Sequence, residues 1–185
     1  MLHGHELVAL PPGVESPEET GTTFAENALI KGHAAAQALG VRAIADDSGV
    51  EAAALDGAPG VRSARFAGPQ ATDAENLRKL VREAPAGSAL VYVCVIAFVD
   101  PGDGTRPPTS WWVEGRCTGT LDPAPRGTNG FGYDPAFLPD DVVDPERPGR
   151  TMAELDAAEK ASISHRGRAA AAFAARLAGH LGPPR

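Results

Sequence analysis

The feature that most constrains the fold is an apolar run rich in valine, Leu90–Val99. An unbroken apolar run of this length is typical of a central strand that is covered on both faces. A polar turn at 101–108 separates this run from a second strand pattern, Trp111–Leu121. The two runs therefore predict a long β-hairpin in the middle of a sheet, with other elements packed on both sides of it.

The spacing of a capping box, Thr-x-x-Glu or Asp-x-x-Glu, occurs repeatedly and predicts helix starts. The copies are Thr23–Glu26, Thr72–Glu75, Thr151–Glu154 and Asp156–Glu159. The first helix should run to about Leu39 and stop at Gly40, and the second should end at Glu83. Near the end of the chain, Gly167 should break the helical pattern, with Ala169–Leu177 as the last helix.

Two shorter strands are predicted before the hairpin, at Glu6–Leu10 and Ala43–Ala45. The second should end in a turn formed by Asp46–Gly49. Helix and strand patterns alternate along the chain, which predicts the α/β class, mixed α+β, with helices flanking a long mixed central sheet. A chain of 185 residues fits a single domain, 1–185.

Composition excludes some classes of partner. The formal net charge is −7, and proteins that bind duplex nucleic acid need clustered Lys and Arg, so no nucleic-acid partner is expected. No apolar run reaches the length of about 18 residues that spans a bilayer, so no membrane partner is expected. Nothing indicates secretion, which favours a cytoplasmic protein in which Cys94 and Cys117 form no disulfide.

The most suggestive carboxylates are Asp46 and Asp47. Adjacent residues leaving a strand point to opposite faces, so only one of the two can face a given cleft. A carboxylate beside the Ser48–Gly49 turn, where a ligand can approach, is a common position for a metal ligand or a general base. The same four residues also suit an ordinary surface turn.

A second carboxylate and a cation lie around the first predicted helix. Glu19 precedes the helix N-terminus, where acids are favoured by the helix dipole, but it could equally act with Asp47 as a Mg²⁺ ligand. Lys31 shares a helix face with Asn27 at i, i+4. That face could address phosphates, or Lys31 could simply be solvated.

Two later segments carry groups suited to a flat ligand. In Phe131–Asp134, two aromatic residues alternate with glycine, which would let a base stack on a ring, although aromatics also anchor loops. Ser164–Arg166 places a histidine beside a guanidinium, which only donates hydrogen bonds. Such a donor can favour the ring carbonyl of a 6-oxo purine over the amine of adenine.

Taken together, these segments form a series of motifs in a fixed order. They are Glu19 to Lys31, Ala45-Asp46-Asp47-Ser48-Gly49, Gly57 to Arg65, Gly130-Phe131-Gly132-Tyr133-Asp134-Pro135, and Glu159 to Gly167. In this order, and across nearly the whole chain, they resemble the inosine/xanthosine triphosphate pyrophosphatase (Ham1-like) family.

The resemblance implies a Mg²⁺-dependent enzyme that cuts ITP, dITP and XTP to monophosphate and pyrophosphate. It also implies a homodimer of two-lobed subunits with the substrate in the cleft between the lobes. Asp47 would be the catalytic carboxylate and, with Glu19, a metal ligand. The substrate-binding residues implied are Lys31, Ser48, Phe131, Gly132, Tyr133, Asp134, Lys160, Ser164, His165 and Arg166.

One part of the family pattern has no counterpart. Family members open with a strand and a Ser/Thr-x-Asn-x-x-Lys loop around the triphosphate, and we expect roughly the first 20 residues of that pattern to be missing here. Weak turnover is therefore expected of this chain. Two alternatives stay open: a nucleotide-binding protein without catalysis, and a pyrophosphatase of similar architecture that acts on modified pyrimidine nucleotides.

Overall fold

The computed structural model describes residues 6–141 and 144–181. Their central element is a four-stranded sheet in the order β1-β2-β3-β4. The strands are β1 (Ala43–Ala52), β2 (Ala89–Asp100), β3 (Thr109–Leu121) and β4 (Phe137–Pro139). The predicted hairpin is confirmed, since β2 and β3 pair from Ala89↔Thr120 to Asp100↔Thr109. All the pairings are antiparallel in the described residues, whereas the sequence predicted a mixed sheet.

The described residues contain four α-helices, and the first three begin where the capping boxes predict. They are α1 (Phe24–Leu39), α2 (Asp73–Glu83), α3 (Ala157–Ile163) and α4 (His165–Leu181), with short 3₁₀ helices that include Gly60–Arg65 and Met152–Glu154. All the predicted capping boxes are formed. Gly40 ends α1 with φ 64°, a left-handed conformation that glycine adopts without a steric penalty.

Helices cover both faces of the sheet. On one face Phe24 and Ala28 of α1 pack against alternate residues of β2, among them Val93 and Val95. On the opposite face Phe98 and its neighbour Trp111 pack against Phe173 and Leu177 of α4. The apolar run of β2 is therefore buried on both sides, as predicted, and the α/β class is confirmed.

The prediction of a turn at Asp46–Gly49 is wrong. These residues continue β1, where Asp47 pairs with Val95 and Gly49 with Val93. Strand β2 is long enough to offer hydrogen-bond partners along the whole segment, and the ladder outweighs the local turn preference of Asp, Ser and Gly. As a result the two carboxylates stand on a regular strand, with their directions fixed by the pleat.

Two further predictions are corrected. Residues 6–10 form no strand; among the described residues they have no ladder partner, and Leu7 and Val8 are 67% and 78% exposed. The helix break lies at Ser164, whose backbone is extended, and not at Gly167, which is inside α4. A side chain at Gly167 would clash with the carbonyl of Ala161, so glycine there allows α3 and α4 to approach closely.

Two smaller observations complete the fold. Within 6–141 and 144–181, no helix combines the length and apolarity that crossing a membrane requires. Cys94 and Cys117 are both buried and both carry free thiols.

Candidate active site

Strand β1 presents polar side chains to both faces of the sheet. Asp47 faces α1 and is only 9% exposed, while the side chain of Asp46 is half exposed on the α4 side. Ser48 lies on the same side as Asp46, because strand residues two apart share a face. The prediction that Asp46 and Asp47 face opposite ways is confirmed.

On the α1 side, Glu19, Lys31 and Asp47 form what we call the carboxylate cluster. The Lys31 ammonium donates to Asp47 Oδ1 at 2.9 Å and to Glu19 Oε1 at 3.1 Å. Arg65 Nη1 donates to the other oxygen of Glu19 at 3.2 Å, and Asn27 Nδ2 donates to Asp47 Oδ2 at 3.3 Å. Two predicted metal ligands and a predicted phosphate-binding lysine are thus brought into direct contact.

The charges in this cluster respond to one another and to burial. Burial raises the pKa of the Asp47 carboxyl above its ordinary value, in spite of the opposing effect of Lys31. For Glu19, burial alone would raise the pKa, but Lys31 and Arg65 outweigh it and leave the pKa lowered. The pKa of Lys31 is raised, because its bonds to Asp47 and Glu19 outweigh the effect of burial. Asp47 is therefore a stronger base than an ordinary aspartate.

On the α4 side, the ring of Phe131 forms the centre of an aromatic pocket with Lys160 and Arg166. Phe131 is 55% exposed, which is unusual for a phenylalanine. The Lys160 ammonium lies 4.9 Å and the Arg166 guanidinium carbon 5.1 Å from the centroid of that ring. Arg166 also donates to Ser48 Oγ at 3.0 Å and lies 3.4 Å from Asp46 Oδ2.

The loop that carries Phe131 is held by Asp134. Its Oδ2 accepts the backbone N–H of Phe131 at 2.8 Å and also accepts from the Lys160 ammonium. Asp134 is 2% exposed, so these contacts lie in a protected environment. The predicted residues Phe131, Asp134, Lys160 and Arg166 therefore do meet at one place.

His165 borders the same pocket with a nitrogen that has no partner. The residue is 5% exposed, and its Nδ1 has no hydrogen bond among the described residues. Burial, together with the positive charges of Arg166 and Lys160, lowers the pKa of His165 to about 3. The imidazole is therefore neutral near pH 7, and its Nδ1 is a buried polar atom without a partner among the described residues.

Three other predicted residues have contacts within the protein. Gly132 N–H donates to Asp73 Oδ2 at 2.9 Å, the Tyr133 hydroxyl donates to the carbonyl of Ser63 at 2.8 Å, and Ser164 Oγ accepts from Gly167 N–H at 3.1 Å. The ring of Tyr133 also belongs to the hydrophobic core. For these three, a direct role in binding stays a prediction.

Two depressions border the exposed side of β1. One, of about 280 Å³, reaches Lys31, and the other, of about 380 Å³, reaches Arg166; Ile44, Ala45 and Asp46 line both. Larger depressions of about 870 and 850 Å³ lie elsewhere and contain none of the predicted site residues. A ligand that fills both depressions would therefore reach Lys31 of the carboxylate cluster and Arg166 of the aromatic pocket.

Sequence reasoning missed the role of two residues. Arg65 lies in one of the motifs but was given no part, and it pairs with Glu19. Tyr92 lies in the apolar run of β2, and its hydroxyl donates to Asp134 Oδ1 at 3.1 Å. The signal for Tyr92 was available, because a tyrosine in a fully buried strand needs a partner for its hydroxyl.

The fold and these clusters define an α/β protein in which one strand separates an acidic, cation-lined cleft from an aromatic pocket. The chain belongs to the Ham1 family, whose profile matches residues 2–176. It is 43% identical over 180 residues to the dITP/XTP pyrophosphatase of Haemophilus influenzae, covering 94% of this chain and 87% of that protein. It is 48% identical over 166 residues to the dITP/XTP pyrophosphatase of Thermosynechococcus vestitus, covering 89% and 78%.

Solved structures of the family have the same fold. A HAM1 protein from Coxiella burnetii matches with a TM-score of 0.76 and 42% identity, over 90% of this chain and 82% of that one. The Ham1 protein of Staphylococcus aureus matches with a TM-score of 0.75 and 40% identity, over 88% and 80%.

Proposed function

We propose that the chain hydrolyses non-standard purine nucleoside triphosphates, namely ITP, dITP and XTP, to the monophosphate and pyrophosphate. The observation that carries this proposal is the division of functions across β1. Asp47 faces the carboxylate cluster, and Ser48, the next residue, contacts Arg166 of the aromatic pocket. The proposal is supported by the relatives, which are named dITP/XTP pyrophosphatases.

The carboxylate cluster suits a Mg²⁺ ion. Magnesium prefers oxygen ligands and is usually held by one or two carboxylates, with water and phosphate oxygens completing its shell. Glu19 and Asp47 each have an oxygen about 3 Å from the same Lys31 nitrogen, so both carboxylates converge on one cation, the ammonium of that lysine. Among the described residues, no group of three or more His, Cys, Asp or Glu side chains is arranged to hold a metal ion. When bound, Mg²⁺ would neutralise charge developing on the phosphate oxygens.

Asp47 is the residue suited to handle the proton of the attacking water. Its carboxylate is buried, its raised pKa makes it more basic, and Lys31 and Asn27 hold its orientation. A water bound to Asp47 would be oriented for attack on the α-phosphorus, with pyrophosphate leaving. Lys31 and Arg65 supply positive charge beside the anionic phosphates.

The aromatic pocket is suited to reading the base. The exposed ring of Phe131 offers a stacking surface, and Arg166 lies beside it as an obligate donor. An inosine or xanthine O6 can accept from such a donor, whereas the amino group of adenine cannot. Neutral His165 is the residue before Arg166, and its Nδ1 is buried without a partner among the described residues. Selectivity then arises because an adenine base leaves polar groups of the pocket unpaired.

The proposal includes two finer points carried over from the family resemblance. We expect a homodimer, which size-exclusion chromatography with light scattering would show. We also expect the protein to act on the nucleotide pool of the cytoplasm.

The test is the release of pyrophosphate from ITP and from ATP, each with Mg²⁺ and with EDTA. We expect ITP to be preferred by at least about 100-fold in kcat/KM, and EDTA to stop the reaction. Binding of inosine monophosphate without any turnover would instead favour a nucleotide-binding protein without catalysis. Preference for a modified pyrimidine triphosphate would favour a pyrophosphatase of different specificity.

A further inference from the structure

Tyr92 is a buried residue of β2 that contacts two residues next to the aromatic pocket, Asp134 and His165. It is the fourth residue of β2, is 5% exposed, and faces the start of α4. Its hydroxyl donates to Asp134 Oδ1 at 3.1 Å, and its ring stacks on the ring of His165 with centroids 4.7 Å apart. One side chain therefore contacts both the loop of Phe131 and the start of α4.

The contact with Asp134 controls where the stacking ring lies. The other oxygen of Asp134 accepts the backbone N–H of Phe131 and the ammonium of Lys160. Because Asp134 is almost completely buried, its carboxylate depends on these donors for stabilisation. The Tyr92 hydroxyl is thus one of three donors that fix Asp134, and through Asp134 the position of Phe131.

The contact with His165 holds the start of α4, which also carries Arg166. The Tyr92 ring stacks on both His165 and Phe137, the latter at 4.2 Å with an interplanar angle of 13°. Phe137 is itself fully buried, so the Tyr92 ring is held rigidly. Burial and the charge of Asp134 hold the pKa of Tyr92 well above its usual range, and its hydroxyl stays a donor.

We infer that Tyr92 is a positioning residue that sets the spacing between the stacking ring of Phe131 and the proposed base-reading group Arg166, through its stack on His165 at the start of α4. It does not touch the ligand itself. The inference rests on the proposed function, since it assigns the base selectivity of that same pocket in part to a buried residue of the sheet.

The test is Tyr92→Phe, which removes the hydroxyl and keeps the ring in its stack. We expect the KM for ITP to rise by at least about fivefold, because a hydrogen bond to a charged group is lost. We expect kcat to change less than about twofold, since Asp47 lies on the opposite face of the sheet. The ratio of kcat/KM for ITP to that for ATP should fall.

Thr151→Val is the matched control. Thr151 is fully buried; its hydroxyl donates to the carbonyl of Arg126 at 2.9 Å and, among the described residues, makes no hydrogen bond to a member of either cluster. This variant should lower the melting temperature without changing the KM for ITP or the ITP/ATP ratio. Calorimetric titration with inosine monophosphate and AMP, below the melting temperature of each variant, gives the same comparison without turnover.

The outcomes separate the two proposals. A Tyr92→Phe variant with the KM and ITP/ATP ratio of the wild type overturns the role of Tyr92 and leaves the proposed function standing. An equal rise in the KM for ITP in Tyr92→Phe and Thr151→Val also overturns the role of Tyr92, because the effect would then be general destabilisation. A wild-type protein that neither cleaves nor binds inosine nucleotides selectively overturns both.

Discussion

Asp46 and Asp47 are consecutive residues of β1, yet their carboxylates lie on opposite faces of the sheet. Asp47 contacts Lys31 and Asn27 beneath α1, while Asp46 lies 3.4 Å from Arg166 on the α4 side. The pleat of one strand therefore places the first carboxylate beside the aromatic pocket and the second in the carboxylate cluster.

Asp47→Asn is expected to remove ITP hydrolysis almost completely, by a factor of at least about 100, because the proposed general base is lost. The shape of the side chain is kept, so the far-UV circular dichroism spectrum should not change. Asp46→Asn should reduce activity only a few fold, because its ion pair with Arg166 is half exposed and weak. Pyrophosphate release checks both variants, and equal total loss would refute the division between the faces of β1.

Arg166→Ala is expected to reduce the ratio of kcat/KM for ITP to kcat/KM for ATP. The variant loses the donor beside Phe131 that would pair with O6, together with its bond to Ser48. The loss should fall mainly on ITP, by about 10-fold or more in kcat/KM. Lys160→Ala, which removes another cation near the same ring, controls for charge. If turnover of ITP and ATP falls equally in Arg166→Ala, Arg166 serves the phosphates or the fold.

Gly115→Ala tests the packing of α4 on the sheet. A Cβ at Gly115 would clash with the backbone of His165 and Ala169, and backbone cannot move as a side chain can. We expect a loss of about 1–3 kcal/mol in the free energy of unfolding and weaker ITP binding, because His165 would be displaced. Gly179→Ala is the control, since nothing lies within 4 Å of its Cβ position and alanine favours the helix. Urea denaturation that finds Gly115→Ala as stable as the wild type would contradict the close contact.

Neutral His165 predicts a loss of stability in mild acid. Its pKa is lowered from 6.5 to about 3 on folding, so the unfolded chain binds a proton more readily than the folded one. The contribution of neutral His165 to the free energy of unfolding is therefore complete above about pH 6.5. It falls as the pH decreases toward 3, by at most about 1.4 kcal/mol per pH unit. Ion-paired carboxylates such as Glu159 also contribute to stability, but the pKa of Glu159 is lowered, so its contribution is lost only at more acid pH. Between pH 7 and 5 the loss of stability therefore comes from His165 first.

The measurement is the urea midpoint at pH 7 and pH 5 for the wild type and for His165→Gln. The variant lacks the titrating ring and should lose less stability over this interval. If both proteins show the same pH dependence, His165 is not the group responsible.

The sequence predicted the parts of the fold that local signals control. The capping boxes placed the helix starts, and the valine-rich run of β2 predicted a buried central strand. The turn at Asp46–Gly49 was wrong because pairing with β2, a long-range contact, decided the conformation. Spacing brought Asn27 and Lys31 to one helix face, but the approach of Arg65 to Glu19 across 46 positions has no local signal. The role of Tyr92 likewise depends on contacts made only in the folded chain.

Two buried asparagines, Asn27 and Asn76, make similar hydrogen bonds, but only Asn27 contacts the proposed active site. Asn27 and Asn76 each follow a capping-box glutamate directly, and each is almost completely buried. Asn27 accepts from Gly21 N–H and donates to Asp47, whereas Asn76 accepts from Ala67 N–H and donates to the carbonyl of Ala64. The two side chains therefore make equivalent hydrogen bonds, except that Asn27 donates to the proposed catalytic carboxylate and Asn76 donates to a backbone carbonyl.

Asn27→Ala and Asn76→Ala should each reduce the free energy of unfolding by about 1–3 kcal/mol, because each leaves buried polar groups without partners. Only Asn27→Ala should also reduce kcat for ITP, by about 10-fold or more, since Asp47 then loses one of the two donors that orient it. Urea denaturation gives the stabilities, and initial rates at saturating ITP, well below both unfolding midpoints, give kcat. Equal kcat in the two variants would show that Lys31 alone orients Asp47 and that Asn27 serves only to hold the loop at Gly21.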